Sequence, residues 1–444
     1  MERVLIQNGR VIDPASGRDE ICDVAVADGK IVEIGTGLSA SAADTVINAD
    51  GLIVAPGLID PHVHLREPGQ THKETIETGS HAAVAGGFTT VCCMPNTSPA
   101  LDSVEQIEFV SARAKAAQCR VFPVAAGTVG RKGMQSTDVA ALVKAGAVAI
   151  SDDGDAIASE RMMLAVFEQC ASSDVVFMQH CQDPAMTVGA QMHQGSVSAA
   201  LGLTGWPREA EETIIDRDIA LARKTNARYH VQHLSSAGSI ELIRDARKEK
   251  LHVSAEASPH HLLLTHHVID RGPDGNAFGA GPWPIAKVNP PIREATDRAA
   301  IVRAVGAGVI TVLATDHAPH TMDEKDVPYE HAPMGMIGLE FALGLYGRAL
   351  IASGAIDWPR LLAMMTIEPA KLCNLDRSGL GTLQEGGIPD ITIIDPSAEW
   401  KPSRDDCKGK SWNTPFIEPS LGISCLGRAV LTMVGGEIRH RMIP

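Results

Sequence analysis

Aromatic residues are scarce, 4% of 444, so the interior must be built mostly from Ala, Val, Ile, Leu and Met, and stacking platforms for nucleobases are not expected. Positive charge is also short: 39 Lys and Arg stand against 54 Asp and Glu, a net charge of −15. No clustered basic face offsets that balance, which argues against a phosphate-backbone partner. No stretch approaches the roughly 18 uninterrupted apolar residues that span a bilayer, and the start, MERVLIQNGR, lacks the apolar core of a secretion signal. A cytoplasmic protein is the expectation. The nine cysteines include no CxxC pair, which disfavours a disulfide framework or a Cys-rich zinc site. Also missing is a GxGxxG after the early strands, which weakens a dinucleotide-binding alternative on an open doubly wound sheet.

What is present is an ordinary globular composition, 44% hydrophobic and 21% charged, enough for one large domain of about 250 residues plus a smaller one. The first fifty residues alternate short β-like runs with Asn-Gly and Asp-Gly turns (RVLIQNG, DVAVADGKIVEIG, DTVINADG), the pattern of a β-meander. A similar texture returns in PDITIID and RAVLTMVGGEIRH. Between them lie eight apolar runs: GLIDPHVHL, FTTVCCMP, CRVFPVAA, GAVAISDD, DVVFMQHC, ARYHVQHL, LHVSAEAS and GVITVLATD. Eight suits a closed barrel, continuous apolar strands suit a sheet covered on both faces, and stretches such as EAEETIIDRDIALARKTN have helical spacing. The expected architecture is α/β, a (β/α)8 barrel over 56–375 with a small β domain from both termini, 1–55 and 376–444.

The chemistry concentrates at the ends of those runs. In DPHVHLR, His62 and His64 are two apart on a strand, so both imidazoles share a face and can aim at one divalent cation, with Asp60 or a backbone carbonyl orienting the rings. His180, His233, Asp316 and Asp153 close or follow four other strands, at the end of a barrel where active sites lie. Singly, each has a plainer role: a hydrogen-bonded core histidine, a helix cap at Asp316, a turn at Asp152, Asp153 and Gly154. Jointly they supply N and O donors for two metal ions. His72, His81, His193, His230, His252 and His440 have no such company and are expected as surface or core residues.

Taken together, DPHVHLREPG, the strand ending in MPNT, SDDG, the His180 and His233 strand ends, NPPIR, ATDHAPH and APMGMIGLE resemble the type I dihydroorotases of the amidohydrolase superfamily. The likeness runs over nearly the whole chain, through GIPDITIIDP and KSWNTPF. It implies that the small domain is a β-sandwich and that the cofactor is zinc, two ions per chain. His62, His64 and Asp316 would hold one ion, His180 and His233 the second, with Asp153 and a hydroxide bridging both. Related hydantoinases and allantoinases usually bridge with a carbamylated lysine; AVAISDDG has none, and Lys144 lies upstream on the preceding helix, which favours dihydroorotase over those rivals. A mononuclear deaminase fits less well, since HLSSAGSIE after His233 lacks HxxE, and a silent barrel serving aspartate transcarbamoylase would have lost ligands.

The implied reaction is reversible hydrolysis of (S)-dihydroorotate to N-carbamoyl-L-aspartate, cyclisation being the direction of pyrimidine (UMP) synthesis, with Asp316 accepting a proton during attack and returning it to the leaving nitrogen. Substrate binding would fall to His64, Arg66, Asn96, Asn289 and His320, with backbone groups at Met334 and Gly335; the family commonly has Phe where Met334 stands. Each has a plainer alternative: an ion pair for Arg66, turns at Asn96 and Asn289, a solvated loop at His320. Residues 319–338, polar and rich in Pro and Gly, suit a mobile loop over the mouth. Homo-oligomers or a complex with aspartate transcarbamoylase are partners that the resemblance brings with it.

Overall fold

The computed structural model describes residues 3–41, 44–271 and 282–443. Its centre is an eight-stranded parallel sheet: β1 (Leu58–Val63), β2 (Phe88–Cys93), β3 (Arg120–Ala125), β4 (Ala149–Ile150), β5 (Phe177–Gln179), β6 (Tyr229–Val231), β7 (Val253–Ala257) and β8 (Val312–Leu313). Each pairs with the next in chain order. The ring closes where Val63 bridges His317, helped by Asp316 N–H to the His62 carbonyl (3.1 Å) and His64 N–H to the His317 carbonyl (2.8 Å). All eight apolar runs read from the sequence are its strands.

Helices α1 (Ile76–Ala85), α2 (Val104–Arg113), α3 (Val139–Ala145), α4 (Glu160–Ser172), α5 (Glu209–Thr225), α6 (Ala237–Lys248), α7 (Ala295–Gly306) and α8 (Trp358–Met365) connect or follow the strands. In α4, Met163, Val166, Phe167 and Cys170 recur at helical spacing and are buried, and Ser159 caps the first turn by accepting from Met162 N–H. Alternate strand residues serve two layers. Phe177 packs edge-on to Phe167 of α4, whereas its neighbour Met178 belongs with Ile59, Cys92 and Val124 in a cluster closed by Ala370 and Leu372. Lys144 is exposed near the end of α3, as its upstream position suggested.

Both termini build one eight-stranded sheet, in which strands Val4–Asp13, Ile53–Pro56, Ile391–Trp400 and Cys425–Val434 are central. The N-terminal meander ends earlier than the sequence suggests. Val4–Asp13, Arg18–Ala27 and Lys30–Gly35 are antiparallel neighbours, but Thr45–Asn48 returns to pair in parallel with the first half of Val4–Asp13, and Ile53–Pro56 takes the second half. A register shift between Ile6 and Gly9, with Asn8 at φ 64°, separates those halves. The sheet's two wings meet: a side chain at Gly436 would lie 3.5 Å from Gly29 and from Val26 of the N-terminal hairpin. No helix of the described residues is long and apolar enough to cross a membrane.

Candidate active site

The carboxyl ends of the barrel strands deliver the chemistry. His62 lies in β1 and His64 just beyond it, Asp153 follows β4, His180 follows β5, His233 follows β6 and Asp316 follows β8. Asp153 is the hub. Its Oδ1 lies 3.5 Å from His62 Nε2, 3.5 Å from His180 Nδ1 and 3.6 Å from His233 Nε2, and its Oδ2 lies 3.4 Å from His64 Nε2. Asp316 Oδ1 sits 3.1 Å from His64 Nε2 and 3.6 Å from His62 Nε2. Two groups able to hold a metal ion therefore share Asp153: one with His62 and His64, the other with His180 and His233.

All six side chains are buried. Burial works against the charge on Asp153, yet His62, His180 and His233 hold its carboxyl well below the ordinary carboxylate range. Burial opposes ionisation of Asp316 too, but His64 and His62 keep it lowered. Burial disfavours the imidazolium of His62, and Glu256 and Asp153 outweigh it, lifting that group well above its usual value. His233, Asp316 and Arg66 carry left-handed backbones, φ 31°, 51° and 60°, conformations that surrounding structure must impose.

The rings are oriented by partners that the sequence did not reveal. His62 Nδ1 lies 2.5 Å from Glu256 Oε1 in β7, and the same oxygen accepts His233 N–H at 3.1 Å. The other Glu256 oxygen meets His230 Nε2 at 3.0 Å. His64 Nδ1 contacts Asn96 Oδ1 at 2.8 Å, and His180 Nε2 contacts Gln182 Oε1 at 2.9 Å. Asp60 does not orient a ring: it accepts from His62 N–H at 3.0 Å and Thr315 N–H at 3.2 Å, tying β1 to the end of β8. Asp152 accepts from Gly127 and Thr128 N–H groups and fixes a turn, leaving its neighbour Asp153 to the cluster.

Above the cluster is a cavity of about 200 Å³, bordered by Arg66, Asn96, Asn289, His320, Met334 and Gly335 together with His64, Asp153, His180, His233 and Asp316. Arg66 donates to the Pro319 carbonyl (3.1 Å), with His320 Nε2 3.2 Å from its terminal nitrogen; burial brings its guanidinium to about 10, with Asp316 and Asp153 opposing that fall. Burial and the cations Arg66, Lys325 and Lys73 depress His320, which is held neutral between Lys73 and the Met334 carbonyl. Asn289 donates to Gln182 Oε1 at 3.0 Å. Gly335 has both backbone groups engaged, N–H with the Lys287 carbonyl and C=O with Asn413.

Residues 319–338, expected as a mobile loop, are anchored instead. Lys325 is buried and donates to the Pro284, Lys287 and Pro333 carbonyls, while Lys287 donates to Gln191 Oε1 and the Tyr329 carbonyl. Two histidines expected to lack company have it. His230 joins Glu256, and His193 stands with His266 and Glu294 in a third group of ligand type. Arg293 lies 3.3 Å from His193 Nδ1 and Arg208 lies 2.6 Å from Glu294 Oε2, so two guanidinium cations weigh against a cation there. His72, His81 and His252 are exposed.

A family model described as Dihydro-orotase-like matches residues 51–239. A dihydroorotase of Pelobacter propionicus is 42% identical over 439 residues, 99% of each chain, and one of Pelotomaculum thermopropionicum is 43% identical over 438 residues, 98% of each. An L-hydantoinase (dihydropyrimidinase) structure from Arthrobacter aurescens has a TM-score of 0.85 at 24% identity, covering 100% of this chain and 98% of its own, a likeness of fold. Since these dihydroorotase relatives match from end to end, the chain belongs to the dihydroorotase family, cyclic amide hydrolases built on a barrel of this kind.

Proposed function

We propose that the protein is a zinc-dependent dihydroorotase that interconverts (S)-dihydroorotate and N-carbamoyl-L-aspartate in de novo pyrimidine synthesis in the cytoplasm. Asp153 carries the proposal: one buried carboxylate within 3.4 to 3.6 Å of imidazoles from three strand ends, beside a cavity walled by an arginine. A pair of cations fits these residues. His62 Nε2 is buried without a hydrogen-bond partner, and His180 Nδ1 and His233 Nε2 face each other at 2.9 Å while both point at Asp153. The donors are all N and O, a set that suits zinc. His62, His64 and Asp316 would hold one ion, His180 and His233 the other, with Asp153 between them; no lysine follows β4 to take that place.

When bound, the ions would lower the pKa of a water from about 15.7 towards about 7 and polarise the scissile carbonyl. Asp316, kept ionised beside His64 and His62, accepts the proton of the attacking water and returns it to the ring nitrogen as the C–N bond breaks. Arg66 offers its guanidinium fork to the substrate's exocyclic carboxylate, and Asn96, whose oxygen is taken by His64, has its amide NH2 left for the same group. Asn289 and His320 complete that wall. With Gly335 N–H on the Lys287 carbonyl, and the Met334 and Gly335 carbonyls on His320 and Asn413, the backbone donor this pair keeps for the substrate is Met334 N–H.

We assign residues 56–375 to the catalytic barrel and 1–55 with 376–444 to the small β domain. Parallel assays of N-carbamoyl-L-aspartate cyclisation, hydantoin hydrolysis and allantoin hydrolysis test the substrate. Turnover of the first alone is expected; activity confined to the other two overturns the assignment.

A further inference from the structure

Residues 408–413 lie far from the barrel in sequence yet run along the outside of the cavity wall. Buried carboxylates anchor their backbone: Glu340 accepts from Lys408 N–H at 3.0 Å, and Glu74 from Lys410 N–H at 3.2 Å. Ser411 Oγ then donates to the Lys73 carbonyl at 3.0 Å. The segment ends on Asn413, which is fully buried and uses its whole side-chain amide on the wall. Its Nδ2 donates to the Ala318 and Gly335 carbonyls, both at 3.1 Å, and its Oδ1 accepts His320 N–H at 3.0 Å. Its own carbonyl accepts Ile337 N–H at 3.1 Å.

We infer that this C-terminal segment is a brace for the substrate wall and that Asn413 is a positioning residue, fixing His320 and Gly335 relative to each other without bordering the cavity itself. The inference rests on the cavity being the substrate site. Two otherwise separate pieces of chain, the turn after β8 and the segment around Gly335, have their facing backbone groups satisfied by one amide, whose two donors and one acceptor match them in number. A side chain at Gly335 would come 2.7 Å from Ala318 Cβ and 3.2 Å from His320 Nε2, so the two pieces pack without slack. Small displacements here move the groups that would hold the substrate carboxylate, and a misplacement of that kind is felt in binding before it is felt in the chemistry.

Asn413→Asp keeps the acceptor for His320 N–H but sets a carboxylate against two carbonyls; Asn413→Ala removes all three side-chain bonds. In zinc-loaded protein, both are expected to raise KM for N-carbamoyl-L-aspartate by about tenfold or more, with kcat within about threefold and zinc content unchanged. Amide exchange at residues 318, 320 and 335–337 should quicken, with exchange in β1 and β5 unaltered. Ser411→Ala, which loses only the bond to Lys73, provides the same test at smaller amplitude if the Asn413 variants do not fold. Unchanged KM with unchanged exchange overturns the brace, as does a fall in kcat matched by loss of zinc. Should the wild type turn over no dihydroorotate in either direction, the functional assignment fails, and exchange at the wall still decides the brace.

Discussion

In the proposed reaction Asp316 would serve both as ligand and as proton carrier: its Oδ1 is 3.1 Å from His64 Nε2 and the residue borders the cavity. Asp316→Asn should therefore lower kcat by about a hundred- to ten-thousandfold, the range for a lost proton carrier, while circular dichroism stays unchanged. Rates near wild type would remove Asp316 from proton transfer. Glu256 stands behind His62, its Oε1 2.5 Å from Nδ1 of that ring. Glu256→Gln should weaken zinc affinity about 10- to 100-fold in a competition titration with a chromophoric chelator, and an unaltered affinity would show that the His62 ring needs no carboxylate behind it. At this scale the sequence was legible where a residue announces itself by strand-end position, as His62, His64, His180, His233 and Asp316 do. It was not legible where function depends on a partner: Glu256 reads as a polar interruption in VSAEA, and nothing local shows that it meets a histidine of β1. Asp60, two residues before His62, is one of the two orienting groups the sequence offers, a backbone carbonyl being the other, but in an extended strand its carboxylate reaches backbone N–H groups instead.

Among the elements, the barrel strands follow directly from continuous apolar runs, and α5 from the spacing of EAEETIIDRDIALARKTN. The segment over the mouth was harder. Its Pro, Gly and charged residues describe a loop, but its anchors are lysines donating to main-chain carbonyls, a partner class that composition does not reveal. The brace carries a pH signature through Glu74, whose carboxyl burial pushes from 4.5 up to about 7. An acid raised on folding favours the folded state below its unfolded pKa, and that contribution is lost as pH rises through the folded value, here between about 4.5 and about 7. Glu74→Gln should therefore flatten the decline of the thermal midpoint from pH 5 to 8 relative to wild type. Parallel calorimetric profiles for the two proteins would contradict it.

Across the whole molecule, barrel and terminal sheet are joined by close backbone contact as well as by ion pairs. Arg120 of β3 pairs with Asp390 at 2.7 and 3.1 Å, Thr432 Oγ1 donates to the Val84 carbonyl at 2.7 Å, and Gly347 approaches so near that a Cβ would stand 1.9 Å from the Leu426 carbonyl. Gly347→Ala should lower stability by about 1–3 kcal/mol, read as a reduced thermal midpoint with the barrel and sheet still melting together. An unchanged midpoint would mean that this seam can open without cost. The two β-rich ends were readable as one domain from their texture, whereas the return of Thr45–Asn48 to the first strand depends on the bulge at Asn8 and was not. All of this architecture serves to bring imidazoles and carboxylates from five strand ends to one place. Zinc titration of metal-stripped protein, with bound metal counted by elemental analysis, tests that most directly. Two ions per wild-type chain and loss of both tight sites in Asp153→Ala are expected; no uptake by the wild type, or uptake indifferent to Asp153, would contradict the paired-cation site.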